Sequence, residues 1–176
     1  MSRIMSLRHA ILGFLSTTPL SGYDLRKAMD ASVQHFWPAD QAQIYRTLTR
    51  LVAEGLVDVQ EVDGDTRQRK LHFATAAGLA ELDDWLRTIH PVEDSREPFL
   101  IKMFFGGCIG AADVCALLLA RRGEAEALRA TFQGIAASIP ESGDLNTVLR
   151  RATLLSGLRH VEAEILWIDE TLEALK

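Results

Sequence analysis

The segment Asp40 to Val57, DQAQIYRTLTRLVAEGLV, constrains this chain more than any other, because both of its ends and one of its edges are specified. Asp40 is a good N-cap, Gln43 stands three residues on as in a capping box, and Gly55 supplies the left-handed residue that closes a helix. A helix over residues 40–54 follows. Ile44, Leu48, Leu51 and Val52 fall at i, i+4, i+7 and i+8, a narrow apolar stripe that must pack on something. At roughly 100° per residue the opposite face carries Ala42, Gln43, Arg46, Thr49, Arg50 and Ala53, flanked by Gln41 and Tyr45. Gln and Arg make the bidentate hydrogen bonds that match the major-groove edges of adenine and guanine, while Thr and Tyr hydroxyls suit phosphates. Taken alone, the same pattern also describes an ordinary solvated amphipathic helix.

The neighbouring segments separate these readings. In PLSGYDLRKAMD, Ser21 with Asp24 three residues later marks the start of a second short helix. Its apolar edge uses Leu25 and Met29 with Ala28, and Tyr23, Arg26 and Lys27 are free to face outward. Upstream, Leu7, Ile11, Phe14 and Leu15 recur at helical spacing, so a third helix precedes the pair and completes a three-helix core. Downstream, LVDVQEV, DGDT and RQRKLHFA read as two strands joined at Asp63 and Gly64, which is hairpin chemistry. A hairpin after a helix-turn-helix is a wing, and Arg67, Arg69 and Lys70 gather on it where phosphates flank a groove. An ordinary solvated strand end is the competing reading of that charge.

These segments, taken in order, resemble the PadR family of bacterial transcriptional repressors in its longer form with an all-helical C-terminal region. The resemblance spans nearly the whole chain. It rests on ILGFLSTTPLSGYDL, FWPADQAQIYRTLTRLVAEGLV, RKLHFATAAGLAELDDWL and REPFLIKMFF. It implies a homodimeric winged-helix protein that binds an inverted-repeat operator and is often released by a small molecule. It also implies that Tyr23 and Tyr45 lie near the DNA and that Arg67, Arg69 and Lys70 form a basic wing. Two positions depart from the family pattern: His72 stands where members commonly carry an aromatic, and Gly123 falls in a long helix where a helix former is usual.

Charge must be read locally. The net charge of the 176 residues is −5. Residues 1–90 hold ten Lys or Arg against eleven Asp or Glu, and residues 91–176 hold nine against thirteen, so −4 of the −5 belongs to the second part. Arg46, Arg50, Arg67, Arg69 and Lys70 can therefore form one basic patch on an acidic protein, with marked salt sensitivity expected of its DNA contacts. A helical spacing over Leu79, Leu82, Leu86 and Ile89, capped by Thr75, closes the DNA-binding domain at about residue 90. The polar stretch Pro91 to Pro98 is the linker. Residues 99–176 then form a helical dimerisation and effector region, with helices from about Phe99, from about Ala112 to Ala137, and from Asp144 onward. The expected architecture is thus mainly α with a small β-hairpin.

In the last helix, Leu154, Leu158, Val161, Ile165, Ile168, Leu172 and Leu175 advance by steps of 4, 3, 4, 3, 4 and 3. Such a heptad seam wants a partner helix. Self-association of two copies is the favoured expectation, with packing on the 112–137 helix the alternative. A dimer would hold two reading helices about 34 Å apart, one turn of DNA. Trp37, Trp85, Phe99 and Trp167, with Phe104 and Phe105, could line a flat apolar pocket at the dimer interface for a small apolar or aromatic effector, although plain core packing is the commoner fate of such residues.

Other functions find little support. Five scattered histidines include none paired with a cysteine at ligand spacing, so no metal or other cofactor is expected. GGCIG lacks a phosphate-loop fingerprint, and no nucleophile elbow is present, so the chain is not read as an enzyme. Cys108 and Cys115, seven apart, would lie on one helix face but roughly 10 Å along it, too far to bridge. Without a disulfide framework, and with an apolar run half the length a membrane helix needs, a cytoplasmic location is expected. A winged-helix module that docks a protein instead of nucleic acid is the remaining alternative.

Overall fold

A computed structural model of the chain describes residues 2–61, 70–89 and 96–176, with side chains from Leu7 onward. The predicted turn at Asp63 and Gly64, Arg67 and Arg69, and linker residues 91–95 lie outside the described residues. The chain divides into two compact units, Met1–Val92 and Glu93–Lys176.

The first unit contains α1 (Ser2–Leu15), β1 (Leu20–Ser21), α2 (Gly22–Asp30), α3 (Gln41–Ala53), β2 (Val57–Glu61), β3 (Lys70–Ala74) and α4 (Ala76–Arg87). Leu7, Ile11, Leu12 and Leu15 of α1, Leu25 and Met29 of α2, and Ile44, Leu48 and Leu51 of α3 form one buried cluster. Burying each such side chain is worth roughly 1.5–3 kcal/mol, so these stripes dictate how the three helices pack. Capping fixes where they start. The Ser21 hydroxyl accepts from the Asp24 amide at 3.2 Å and donates to the Asp24 carboxylate at 2.6 Å. At α3 the capping box is complete: the Asp40 carboxylate accepts from the Gln43 amide at 2.7 Å, and the Asp40 amide donates to Gln43 Oε1 at 3.3 Å. Gly55, at φ 72°, turns the chain out of α3 toward β2.

The sheet has three antiparallel strands in the order β1-β3-β2, with Leu20 and Val59 both opposite His72. The sequence shows two strands. The third is a two-residue strand, too short to carry any period, formed by the same Ser21 that caps α2. Together the three-helix core and the hairpin strands make a winged helix-turn-helix.

The start of α4 is fixed by Thr75, whose hydroxyl accepts from the Gly78 amide at 3.1 Å. Gly78 has to be a glycine, since a Cβ there would stand 2.1 Å from the Leu56 carbonyl oxygen. The predicted stripe of α4 contributes less than expected. Leu82 is buried, but Leu79 and Leu86 are exposed and Ile89 is 96% exposed, because α4 ends at Arg87 and it is the Gly78–Leu82–Trp85 edge that meets the core. Two ion pairs tie this end of the unit together, from Arg8 to Glu54 at 2.7 Å and to Glu81 at 2.7 Å.

The second unit contains α5 (Pro98–Phe104), a 3-10 turn at Gly106–Cys108, α6 (Ala111–Ser138) and α7 (Leu145–Ala174), the last capped by Asp144. The helices α6 and α7 form an antiparallel hairpin. Leu158, Val161 and Ile165 bury against Ala125 and Phe132, with Leu154 alongside, while Ile168 and Leu172 pack with Val114 and Leu118. This corrects the expectation that the heptad seam faces a second copy. Its partner is α6 of the same chain, and only Leu175 at its end stays exposed. Arg121 to Glu164 at 2.7 Å and Arg122 to Asp169 at 2.6 Å fix the register of the hairpin. Gly123 does not interrupt α6, and its position faces open space. The two cysteines do not share a helix face either: Cys108 lies in the 3-10 turn, Cys115 in α6, with Gly110 at φ 85° between them, and both are free. Among the described residues no helix is long and apolar enough to cross a membrane.

Candidate nucleic-acid interface

One side of α3 is fully committed to the core, and this orients the other. With Ile44, Leu48 and Leu51 buried, Gln41, Ala42, Gln43, Tyr45, Arg46, Thr49, Arg50 and Ala53 are all exposed. Their chemistry is not equally available. Gln41 Oε1 accepts a 2.8 Å hydrogen bond from Arg26 of α2, and the Gln43 amide closes the capping box. The Thr49 hydroxyl donates to the Tyr45 carbonyl at 2.9 Å, the usual resting state of a threonine inside a helix. Among the described residues, Arg46 and Arg50 make no hydrogen bond and no ion pair, so two guanidinium forks stand one turn apart without a partner.

Among the described residues, two acids near this face are paired with arginines and a third caps α3. Asp30 pairs with Arg26 at 3.4 Å, Glu54 with Arg8, and Asp40 accepts from the Gln43 amide in the α3 cap. The charge left unbalanced around α3 is therefore positive, although the whole chain is acidic, and the local field is what an approaching polyanion meets.

Tyr23 is 65% exposed at the start of α2. Tyr45 is more covered, because its ring lies against Gly22; a Cβ at that glycine would stand 2.8 Å from the ring. On the wing, Lys70 is exposed and pairs across the hairpin with Glu61 at 3.5 Å, its register neighbour. His72 sits half-buried between β1 and β2, its Nδ1–H donating to the Leu20 carbonyl at 3.3 Å. Burial pushes its pKa below the ordinary 6.5, which keeps it neutral.

Of the four aromatics expected to share an effector pocket, two belong to each unit. In the first unit Trp37 packs on the edge of the core, and Trp85 stacks on the buried His9 ring with centroids 4.6 Å apart. In the second unit Phe99 meets Trp167 edge to face at 6.3 Å, with the Arg121 guanidinium 5.7 Å from the Phe99 ring. Sequence reasoning missed two features of the first unit. One is Arg8, which braces the C-terminal end of α3; its partners lie 46 and 73 residues away, and no local pattern reveals such pairs. The other is a cleft beside α3 that Phe36, Trp37 and Pro38 form with Arg46 and Arg50. Among the described residues no group of His, Cys, Asp or Glu could hold a metal ion.

A winged helix-turn-helix unit with an exposed, cationic second helix, followed by a helical unit, defines a class of protein built to present that helix to a partner. Comparison with known proteins makes the class specific. A model described as the PadR-like transcriptional regulator family matches residues 11–84, and one described as the virulence activator alpha C-terminal region matches residues 95–176. The probable transcriptional regulator Rv1176c of Mycobacterium tuberculosis is 32% identical, the alignment covering 98% of each chain. The negative transcriptional regulator PadR of Bacillus subtilis is 28% identical over 94% of this chain and 95% of that one. Its crystal structure in complex with operator DNA superposes with a TM-score of 0.87 at 26% identity, covering 97% of this chain and 99% of that one. Its complex with p-coumaric acid gives 0.84 at 26% identity, covering 96% and 98%. The Vibrio cholerae virulence activator AphA gives 0.79 at 32% identity, covering 96% and 97%. The chain belongs to the PadR-like family of transcriptional regulators.

Proposed function

We propose that this regulator is a homodimeric repressor that binds an inverted-repeat DNA operator through the exposed face of α3 and leaves it when a small molecule binds. The carrying observation is the pair Arg46 and Arg50, exposed and, among the described residues, unpaired on a helix whose other edge is buried. In this reading Arg46 and Arg50 contact guanine edges, and Gln41, Gln43 and Thr49 contribute to base and backbone contacts. Tyr23, Tyr45 and the wing residues Arg67, Arg69 and Lys70 meet phosphates. Residues 1–90 serve as the DNA-binding domain, 91–98 as linker, and 99–176 as the dimerisation and effector region, in the cytoplasm.

The relatives support this reading: one is a negative regulator seen on operator DNA and with p-coumaric acid, a small aromatic acid. A dimer supplies the second half-site that one short helix cannot read alone. With the α7 seam occupied by α6, the exposed side chains Ile101, Phe104 and Phe105 around α5 are the better contact surface in the second unit; Phe104 is 83% exposed.

The test is a gel shift of the purified protein on the DNA upstream of its own gene, with Arg46→Ala and Arg50→Ala alongside. Each variant is expected to lose about ten- to a hundredfold in affinity, the value of a bidentate guanine contact. Undiminished binding by both variants at moderate salt overturns the assignment of the reading face. Failure of the unaltered protein to bind any fragment favours docking to a protein instead.

A further inference from the structure

Hydrogen bonds at the start of α3 decide which way its two glutamine amides point. A guanidinium and a backbone N–H have only protons to give, so the atom they meet on a glutamine is Oε1, and the Nε2 amino group takes the other side of the amide. Gln41 Oε1 is held by Nη1 of Arg26 at 2.8 Å, and Gln43 Oε1 by the Asp40 amide at 3.3 Å. Arg26 is itself steered, since its Nε lies 3.4 Å from the Asp30 carboxylate one turn along α2. Both glutamines are exposed, and among the described residues neither Nε2 has a partner.

We propose that Arg26 is a positioning residue for base recognition: by holding Oε1 it turns Gln41 into a hydrogen-bond donor toward DNA, so that Gln41 selects guanine over adenine. The proposal rests on the reading of α3 given above and deepens it by naming the base that one side chain prefers. A free glutamine is matched to adenine, accepting from N6 with Oε1 while donating to N7 with Nε2. Clamped by Arg26, it keeps only the donating half. Guanine presents N7 and O6, both acceptors, at the same edge, and the two Nε2 protons suit them. Oε1 retains a second lone pair, but an adenine amino group reaching for it brings its positive protons against the Arg26 guanidinium, whereas a guanine O6 in that place is attracted. The rest of the face agrees. Arg46 and Arg50 carry no acceptor, and residues 41–53 include no acid. The exposed polar side chains of α3 therefore turn donors toward the groove, with the Tyr45 and Thr49 hydroxyls as the exceptions.

The test is equilibrium anisotropy of the full chain on the operator that footprinting of its upstream DNA defines, with the base pairs of both half-sites changed symmetrically, one position at a time. The unaltered protein is expected to show a position at which guanine is preferred to adenine by about tenfold, a preference that Gln41→Ala abolishes. Arg26→Leu should weaken binding to every sequence through the lost charge, and at that one position bring the ratio to about one or turn it toward adenine. If Arg26 only held α2 against α3, the variant would lower affinity evenly and leave the ratio in place. Added to Gln41→Ala, Arg26→Leu should change no ratio, because it acts through Gln41. Circular dichroism checks that each variant is folded; Gln41 is exposed and the Arg26 side chain is 43% exposed, so folding should survive.

Three results overturn the proposal while leaving the reading face intact: a guanine preference that survives Arg26→Leu, an adenine preference at the Gln41 position in the unaltered protein, or no position that responds to Gln41→Ala. Failure to bind any DNA, or undiminished binding by Arg46→Ala and Arg50→Ala, refutes the reading of α3 itself and the proposal with it.

Discussion

Arg26 of α2 donates a 2.8 Å hydrogen bond to Oε1 of Gln41 in the first turn of α3, so the two helices of the helix-turn-helix are joined through a side chain that sequence reasoning assigns to DNA. Gln43 is likewise occupied by the α3 cap. A base contact through Oε1 of either glutamine would have to share or displace an existing bond, whereas among the described residues Arg46 and Arg50 make none.

The side chains should therefore rank. Gln41→Ala is expected to cost less than about tenfold in operator affinity, and Arg46→Ala or Arg50→Ala about ten- to a hundredfold, since exchanging one hydrogen bond for another nets little. Equilibrium anisotropy at fixed salt measures the order. A Gln41→Ala loss equal to that of either arginine would show that the Arg26 bond is given up on binding.

The reach of α3 depends on its start. Asp40→Ala removes a cap that holds the Gln43 amide at 2.7 Å, and the expected loss is about 1 kcal/mol of stability in the first unit. Urea unfolding followed by circular dichroism reads it. Asp40→Ser should retain most of the difference, because a hydroxyl caps almost as well.

His72 gives the first unit an acid-sensitive joint. Its folded pKa lies below 6.5 because it is buried, so at lower pH the unfolded chain takes up a proton that the folded one refuses. Stability from this residue is complete above pH of about 6.5 and falls as the pH drops through that value toward the folded pKa. Thermal unfolding across that range should show a larger acid loss for the unaltered protein than for His72→Phe. Asp83, Asp144 and Asp169, whose pKa values are held down by hydrogen bonds from Arg87, Thr147 and Arg122, lose their contribution at acid pH in both proteins and cancel from the comparison.

The occupied seam of α7 separates two kinds of variant. Leu158→Asp places a charge inside the α6–α7 hairpin and is expected to unfold the second unit, at a cost of several kcal/mol. Phe104→Glu changes an exposed residue and should leave helicity intact while halving the mass seen by sedimentation. A folded monomer from Leu158→Asp, or an intact dimer from Phe104→Glu together with Ile101→Glu, would contradict the proposed contact surface.

Much of the first unit was legible because its signals are local. A cap and its partner lie three residues apart, and a core stripe repeats within one helix, so Asp40, Gln43, Ser21 and Thr75 declare themselves. The same logic misled in α7, where the heptad seam from Leu154 to Leu175 announces a partner helix without saying which chain supplies it. A short connection, Ile139 to Asp144, let α6 return to fill that role. Contacts set only by the folded path left no trace: β1 has two residues, Arg8 finds its acids far along the chain, and the cleft by Trp37 exists only once α3 lies beside the segment before it. In α4 the periodic leucines promised more burial than a helix with one covered edge can provide.

Methylation protection of guanine N7 on the upstream DNA puts the role of α3 to the sharpest trial, since N7 lies in the major groove where Arg46 and Arg50 are placed by this account. The unaltered protein is expected to shield guanines in two half-sites one helical turn apart, and Arg46→Ala with Arg50→Ala to lose that shielding while the fold persists. Full protection without either arginine, or protection confined to adenine N3 in the minor groove, would contradict it.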